Sequence, residues 1–388
     1  MSLKNIAMKF DFPTSWQHGR GLAAESGRLL KDLGCETTLV VTDKLLVDLG
    51  ILKPIITSLD ASNFSYTVCD EVTIEPTVNL FENLVNKLDL KKFDSVIAVG
   101  GGSVIDVSKG LSVIAKFGGS IRDYAGFDKV PDYPDWKSIM IPTTAGTGSE
   151  VSEGAVFIDE SIQSKFIVLS LKICPTIALT YPEMTILMPP KLTVNSGIDA
   201  LVHAIESYTS IDANALTETI SLRAIELIRQ GLIPAYRHGD DLDAREAMQI
   251  GSTMAMVAGM NAHMGLCHSL AMPLCALYHM PHGQACGMAL APVLEFNSEV
   301  VKEKVINIFK VMGFMDKEAG DDALSPACYE KIESFLGEID ITARLSDFGY
   351  QGEHMETIVK ETMNSVQCQF NPRKPSEEDI AAIVRRMI

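Results

Sequence analysis

Four of the chain's eight histidines, His263, His268, His279 and His282, fall within one segment, 247–294, that contains no Asp, Glu, Lys or Arg. Upstream, Asp199 and His203 stand four residues apart in Gly197-Ile-Asp-Ala-Leu-Val-His-Ala-Ile-Glu206. On a helix that spacing puts both on one face. A carboxylate and an imidazole so placed can share one divalent ion. Two imidazoles from the charge-free segment would complete a set of three nitrogens and one oxygen, suited to Fe(II), Zn(II) or Ni(II). Spacing alone does not choose among the four histidines, and each also reads as a core histidine that donates to a backbone carbonyl. Glu206, one turn further on, reads as a residue that bonds solvent.

Two loops suggest a phosphate-bearing ligand. Gly100-Gly-Gly-Ser-Val-Ile-Asp-Val-Ser-Lys109 follows a strand pattern and opens a helix. Its glycines let backbone N–H groups approach an anion, and the helix N-terminus adds partial positive charge. It is neither GxGxxG nor a P-loop. Pro142-Thr-Thr-Ala-Gly-Thr-Gly-Ser-Glu150 is a second loop, lined with hydroxyls, after another strand pattern. In open α/β sheets ligands bind outside the carboxyl ends of the strands.

These loops need a sheet behind them. Residues 37–42, 64–68, 95–99 and 138–141 read as strands, while 22–33 and 78–88 read as helices. Such alternation predicts a parallel sheet covered on both faces. Residues 154–158 and 165–169 suggest an antiparallel ribbon. After Pro189-Pro190 the patterns become long and helical, over about 191–209, 213–231, 240–260 and 263–278, with more to Ile388. The expected architecture is an α/β, Rossmann-like N-terminal domain over 1–185 and an all-α C-terminal domain over 186–388.

Composition supports a folded chain. The chain has 388 residues, 47% of them apolar, and a net charge of −17. That apolar share excludes a disordered chain, and the acidic balance argues against nucleic acid or an anionic membrane as partner. The charge-free stretch 247–294 is long enough to span a bilayer, but its histidines, Asn261 and Gln284 read as the wall of a site instead. Seven of its eight methionines (Met254, Met256, Met260, Met264, Met272, Met280 and Met288) suit either an adaptable substrate pocket or plain core. Eight cysteines with no CxxC pair read as reduced thiols. Residues 1–6 lack the apolar stretch of a secretory leader, so a cytoplasmic protein is expected.

In this order and spacing, GGGSVIDVSK, PTTAGTGSE, GIDALVHAIESY and GLCHSLAMPLCALYHMPHG resemble the iron-dependent (group III) alcohol dehydrogenases, a branch of the dehydroquinate-synthase-like fold. The resemblance covers about residues 10–385. It implies NAD(P)-linked interconversion of a primary or short-chain alcohol and its aldehyde, in a homodimer or larger homo-oligomer. It makes Asp199, His203, His268 and His282 the ligands of one divalent ion, Fe(II) with Zn(II) as the alternative. This full set separates the chain from metal-free maleylacetate reductases and from the glycerol dehydrogenase branch. It places the cofactor, NAD rather than NADP, on Asp43, Gly101, Gly102, Ser103, Thr143, Thr144, Thr147 and Lys165, with Asp106 near the nicotinamide.

The chain departs from the family pattern at Met272, where relatives carry a second histidine, and at Tyr181-Pro182, where they carry Asp-Pro. A thioether has no titratable proton, so His279 is the expected substitute for passing the alcohol proton to solvent. The alternative activity, a phosphate-eliminating lyase of the dehydroquinate synthase type, would need Lys, Arg and Asn around a phosphorylated substrate. The charge-free segment supplies neither Lys nor Arg.

Overall fold

A computed structural model describes residues 8–388 except 163, 321, 322, 342 and 343. Residues 1–6, which carry the leader reading, lie outside the described residues. The chain forms two compact units: one of residues 12–144 and 148–188, the other of 189–388 together with 145–147 and 8–11.

The first unit holds strands β1 (Ser15–His18), β2 (Thr37–Val41), β3 (Ser65–Cys69), β4 (Ser95–Gly100), β5 (Gly126–Phe127), β6 (Lys137–Pro142), β7 (Gly154–Asp159), β8 (Ser164–Leu169) and β9 (Ile177–Thr180). Its helices are α1 (Ser26–Asp32), α2 (Lys44–Asp48), α3 (Lys53–Ala61), α4 (Val78–Lys87) and α5 (Gly102–Phe117). Six strands make a sheet in the order β1-β9-β6-β4-β2-β3, and every pairing in it is parallel. Successive side chains of a strand face opposite ways. Leu39, Val41, Val96, Ala98 and Met140 accordingly pack in one core with Phe81 and Leu84 of α4 and Leu111 of α5. Val40, Ile97, Val99, Ile139 and Ile141 pack in another with Leu29 and Leu30 of α1 and Ile55 and Leu59 of α3. A sheet buried on both faces is the expected one. The 150–180 region contains the predicted ribbon, β7 antiparallel to β8.

The second unit is helical: α6 (Pro190–Thr209), α7 (Ala215–Arg237), α8 (Leu242–Ala262), α9 (Leu266–Tyr278), α10 (His282–Val311, kinked at Val301), α11 (Pro326–Gly337), α12 (Met355–Asn364) and α13 (Glu377–Arg386). The second helix runs past its predicted end at 231 and carries Pro234 in its last turns. Helix α6 is buried on nearly every side, from Ile198 and Leu201 to Ala204 and Ile205. An all-round buried helix carries its polar residues inside with it. Asp199, His203, Glu206 and Ser207 are all buried, so each needs a partner or a ligand. Among the described residues no helix is long and apolar enough to cross a membrane.

Candidate functional site

In the helical unit the predicted ligands converge. Asp199 and His203 come from α6, His268 from the first turn of α9, and His282 is the first residue of α10. The Nε2 atoms of His268 and His282 each lie 3.5 Å from Asp199 Oδ1, and that of His203 lies 3.8 Å from it. The His203 and His268 rings stack with centroids 4.6 Å apart. Three of the four residues are buried, while the His282 side chain is 42% exposed and opens the cluster to solvent.

The donor atoms of Asp199, His268, His282 and Cys286 lie within 4.8 Å of one another. Asp199 Oδ1 and His268 Nε2 are buried without a hydrogen-bond partner, as is the outer Nδ1 of His203. Buried polar atoms are seldom left so, and here the orphaned oxygen and nitrogen face a common centre. Burial would raise the Asp199 carboxyl, yet His203, His282 and His268 outweigh it and hold the group well below its usual range. Burial lowers His203 to about 4, whereas Cys286 and Asp199 hold His282 and, against burial, His268 above the usual imidazole range, so a cation binding here displaces protons from those two rings. The residues present therefore fit a divalent ion.

Glu206 corrects the sequence reading. It is buried, not solvated. Its Oε2 lies 2.6 Å from His268 Nδ1 and accepts from the Gly265 N–H at 2.9 Å, and its Oε1 accepts from the Cys267 N–H at 2.5 Å. One carboxylate thus seals the start of α9 and, by accepting the Nδ1–H hydrogen bond, leaves Nε2 of His268 for the centre. Cys286 was missed outright. It follows His282 by four residues on α10, the same spacing that joins Asp199 to His203.

The remaining histidines lie elsewhere. His263 ends α8 at φ 64°, and its ring stacks on Phe370 with centroids 4.0 Å apart. His279 ends α9 in the left-handed region at φ 52° and is exposed. Met272 is also exposed. The methionines do not form one wall: Met254, Met280 and Met288 belong to the helical core.

In the α/β unit Asp43, Gly101, Gly102, Ser103, Thr143 and Thr144 follow the carboxyl ends of adjacent strands β2, β4 and β6, while Lys165 lies on β8 of the second sheet. Gly100 pairs with Pro142 at the ends of β4 and β6, and the Thr143 N–H donates to the Gly100 carbonyl at 3.0 Å. Gly101 caps α5, so the N–H groups of Gly102 and Ser103 begin a helix whose open end an anion can occupy. Thr144 lies beside Gly101, where an added Cβ would stand 3.5 Å from its methyl. Asp43 caps α2 and accepts from the Leu46 N–H at 2.9 Å through Oδ1. Glu75 connects two of the set, donating its N–H to Ser103 Oγ at 3.1 Å and accepting from Lys165 Nζ at 2.5 Å.

Asp106 lies buried beneath the loops. Its buried oxygens accept from Ser149 Oγ at 2.5 Å and from the Val156 N–H at 3.0 Å. It ties α5 to the second loop and to β7. Thr147 is exposed within the short stretch 145–147 that belongs to the helical unit. There Gly146 lies against α6, and a Cβ on it would meet Ser196 Cβ at 2.5 Å.

Comparison with known proteins bears on both halves. Residues 13–182 match the profile of the iron-containing alcohol dehydrogenases, and residues 193–388 match that of the C-terminal part of the Fe-containing alcohol dehydrogenase family. The chain is 30% identical to the NAD-dependent methanol dehydrogenase of Bacillus methanolicus, over 98% of this chain and 99% of that one. It is 31% identical to the lactaldehyde reductase of Escherichia coli K12, over 95% and 96%. Among solved structures it resembles a 1,3-propanediol oxidoreductase at 30% identity, TM-score 0.93, covering 98% of this chain and all of that one. It also resembles the sulfoacetaldehyde reductase of Bifidobacterium kashiwanohense in complex with NAD+, at 26% identity and TM-score 0.90, over 99% of each chain.

Proposed function

The chain belongs to the iron-containing alcohol dehydrogenase family, and from that premise we propose that it interconverts a primary or short-chain alcohol and its aldehyde with NAD, using one divalent ion. The observation that carries this is the convergence of Asp199, His203, His268 and His282 around two buried, partnerless donor atoms. These four side chains hold the ion, Fe(II) by preference, with Zn(II) suited to the same donors. When bound, such an ion polarises an alcohol oxygen and lowers its pKa. Glu206 holds the His268 ring in the productive tautomer. The exposed edge of His282 gives the alcohol a way in.

On the α/β unit the start of α5, with Gly101, Gly102 and Ser103, receives the pyrophosphate. Thr143, Thr144 and Thr147 line the cofactor. Lys165, held by Glu75, reaches it, and Asp106 positions the loops from beneath. Asp43 has one carboxylate oxygen on the α2 cap, and its charge repels a 2′-phosphate, which favours NAD over NADP. His279, exposed three residues before His282, passes the proton to solvent. Among the described residues no disulfide is formed, which supports a reducing, cytoplasmic setting, and a homo-oligomer is carried forward with the family. The lyase alternative is not favoured, because the relatives described are dehydrogenases and reductases.

The test combines turnover with metal analysis. Purified protein loaded with Fe(II) should form NADH from NAD+ and a short primary alcohol, and should use NADP+ less well. His268→Ala should lose the ion, and His263→Ala should keep it. Full metal content in the first variant, or none in the second, sinks the ligand assignment. Equal use of NADP+ sinks the role of Asp43.

A further inference from the structure

Cys286 has no place in the reading above, yet its sulfur lies with the donors. Its Sγ is 3.7 Å from His282 Nε2, the nitrogen that also lies 3.5 Å from Asp199 Oδ1. The residue is wholly buried. A thiol in an apolar interior ordinarily packs as a small hydrophobe. This one stands among the orphaned donors, with the oxygen of Asp199 and the nitrogens of His268 and His282 all within 4.8 Å.

We propose that Cys286 is a direct sulfur donor to the same ion, which gives this site a mixed oxygen, nitrogen and sulfur set. The inference rests on the metal reading and adds a ligand that reading does not contain. Geometry carries it in two ways. Two donors bound to one ion at about 2.0–2.3 Å can stand at most about 4.6 Å apart whatever the coordination number, and the measured separations of 3.5, 3.5, 3.7 and 3.8 Å lie within that reach. The second way is local. His282 and Cys286 are one helical turn apart on α10, so a single face of that helix offers a nitrogen and a sulfur together, as α6 offers Asp199 and His203. A second thiol, Cys275, also lies near His282, but 3.8 Å from Nδ1, on the ring edge that faces away from Asp199. It serves as the control.

Sulfur ligation has a signature that activity does not share. Co(II) bound through nitrogen and oxygen shows visible ligand-field bands, and a coordinated thiolate adds sulfur-to-metal charge-transfer absorption in the near ultraviolet. The full-length wild type, stripped and reloaded with Co(II), should show both. Cys286→Ser should keep the visible bands and lose the charge-transfer absorption, and Cys275→Ser should keep both. The serine variant should also bind Zn(II) at least about 10-fold more weakly, since loss of a donor exceeds the usual loss from its supporting partners. Visible bands without charge transfer in the wild type, or charge transfer that survives in Cys286→Ser, overturns the proposal and leaves the metal site standing. No visible bands at all overturns the metal reading as well. Should Cys286→Ser fail to fold, X-ray absorption of the Zn(II)-loaded wild type decides. A sulfur scatterer at about 2.3 Å supports the ligand, and a shell of nitrogen and oxygen alone overturns it.

Discussion

At the scale of single residues, Glu206 and His279 separate holding the ion from moving the proton. Glu206 is buried and accepts three contacts, one of which fixes His268. Glu206→Gln keeps the shape but weakens the pull on the His268 Nδ1 proton, and metal affinity should drop by about 10–100-fold. His279 is exposed and off the cluster. His279→Gln should therefore leave metal content full while turnover drops by about 10²–10⁴. Metal analysis beside steady-state kinetics tells the two apart, and unchanged turnover in His279→Gln refutes the relay. The i,i+4 pair Asp199/His203 was legible in the sequence because helical spacing and ligand chemistry are both written there. Cys286 obeyed the same spacing and went unread because a cysteine in an apolar run looks like core. Glu206 was misread for a physical reason: burial of α6 on all sides depends on neighbours brought in from α7, α8 and α10, which no local pattern displays.

At the scale of elements, the site exists because helices approach closely. Gly283 follows His282 in the first turn of α10, and a Cβ built on it would collide with the Asn195 carbonyl oxygen of α6. No side chain fits there, so Gly283→Ala must push the start of α10 away from α6. We expect about 1–3 kcal/mol of lost stability from overpacking, together with reduced metal content, although residue 283 touches no donor. Thermal melting and metal analysis of this variant check it. Full metal occupancy would show that the α6–α10 approach does not set the site. The long elements were legible: the four helices from α6 to α9 follow their apolar periodicity, and β2, β4 and β6 follow their β-branched runs. The edge strand β1 and the short β9, four residues each, carry too few residues for a period to show. Helices α2 and α3 were passed over as well.

At the scale of the molecule, all the metal donors belong to one unit, 189–388 with its small additions, and the strands behind the cofactor loops belong to the other. A ligand that binds only the folded form stabilises what it binds. Chelation should therefore lower hydrogen-exchange protection in α6, in α9 and at the start of α10, and leave β4 and β6 as they were. Equal loss in β4 and β6 would contradict this. The order of an α/β half followed by a helical half was legible from the switch of period after Pro189-Pro190. What the sequence did not display is the excursion of residues 145–147 into the helical unit, because three residues of Ala, Gly and Thr have no period.

That excursion bears on how the protein could be divided or recombined. A gene cut after residue 188 would leave Ala145, part of the helical core, on the fragment that has no such core. It would also strip α6 of the loop that Gly146 lays against it. The parts that fold as units are not consecutive stretches of gene. A chimaera that grafts the helical half of a relative onto this chain must bring the relative's own loop across at 145–147, so inheritance of the two halves is linked through three residues that lie outside the grafted stretch of sequence.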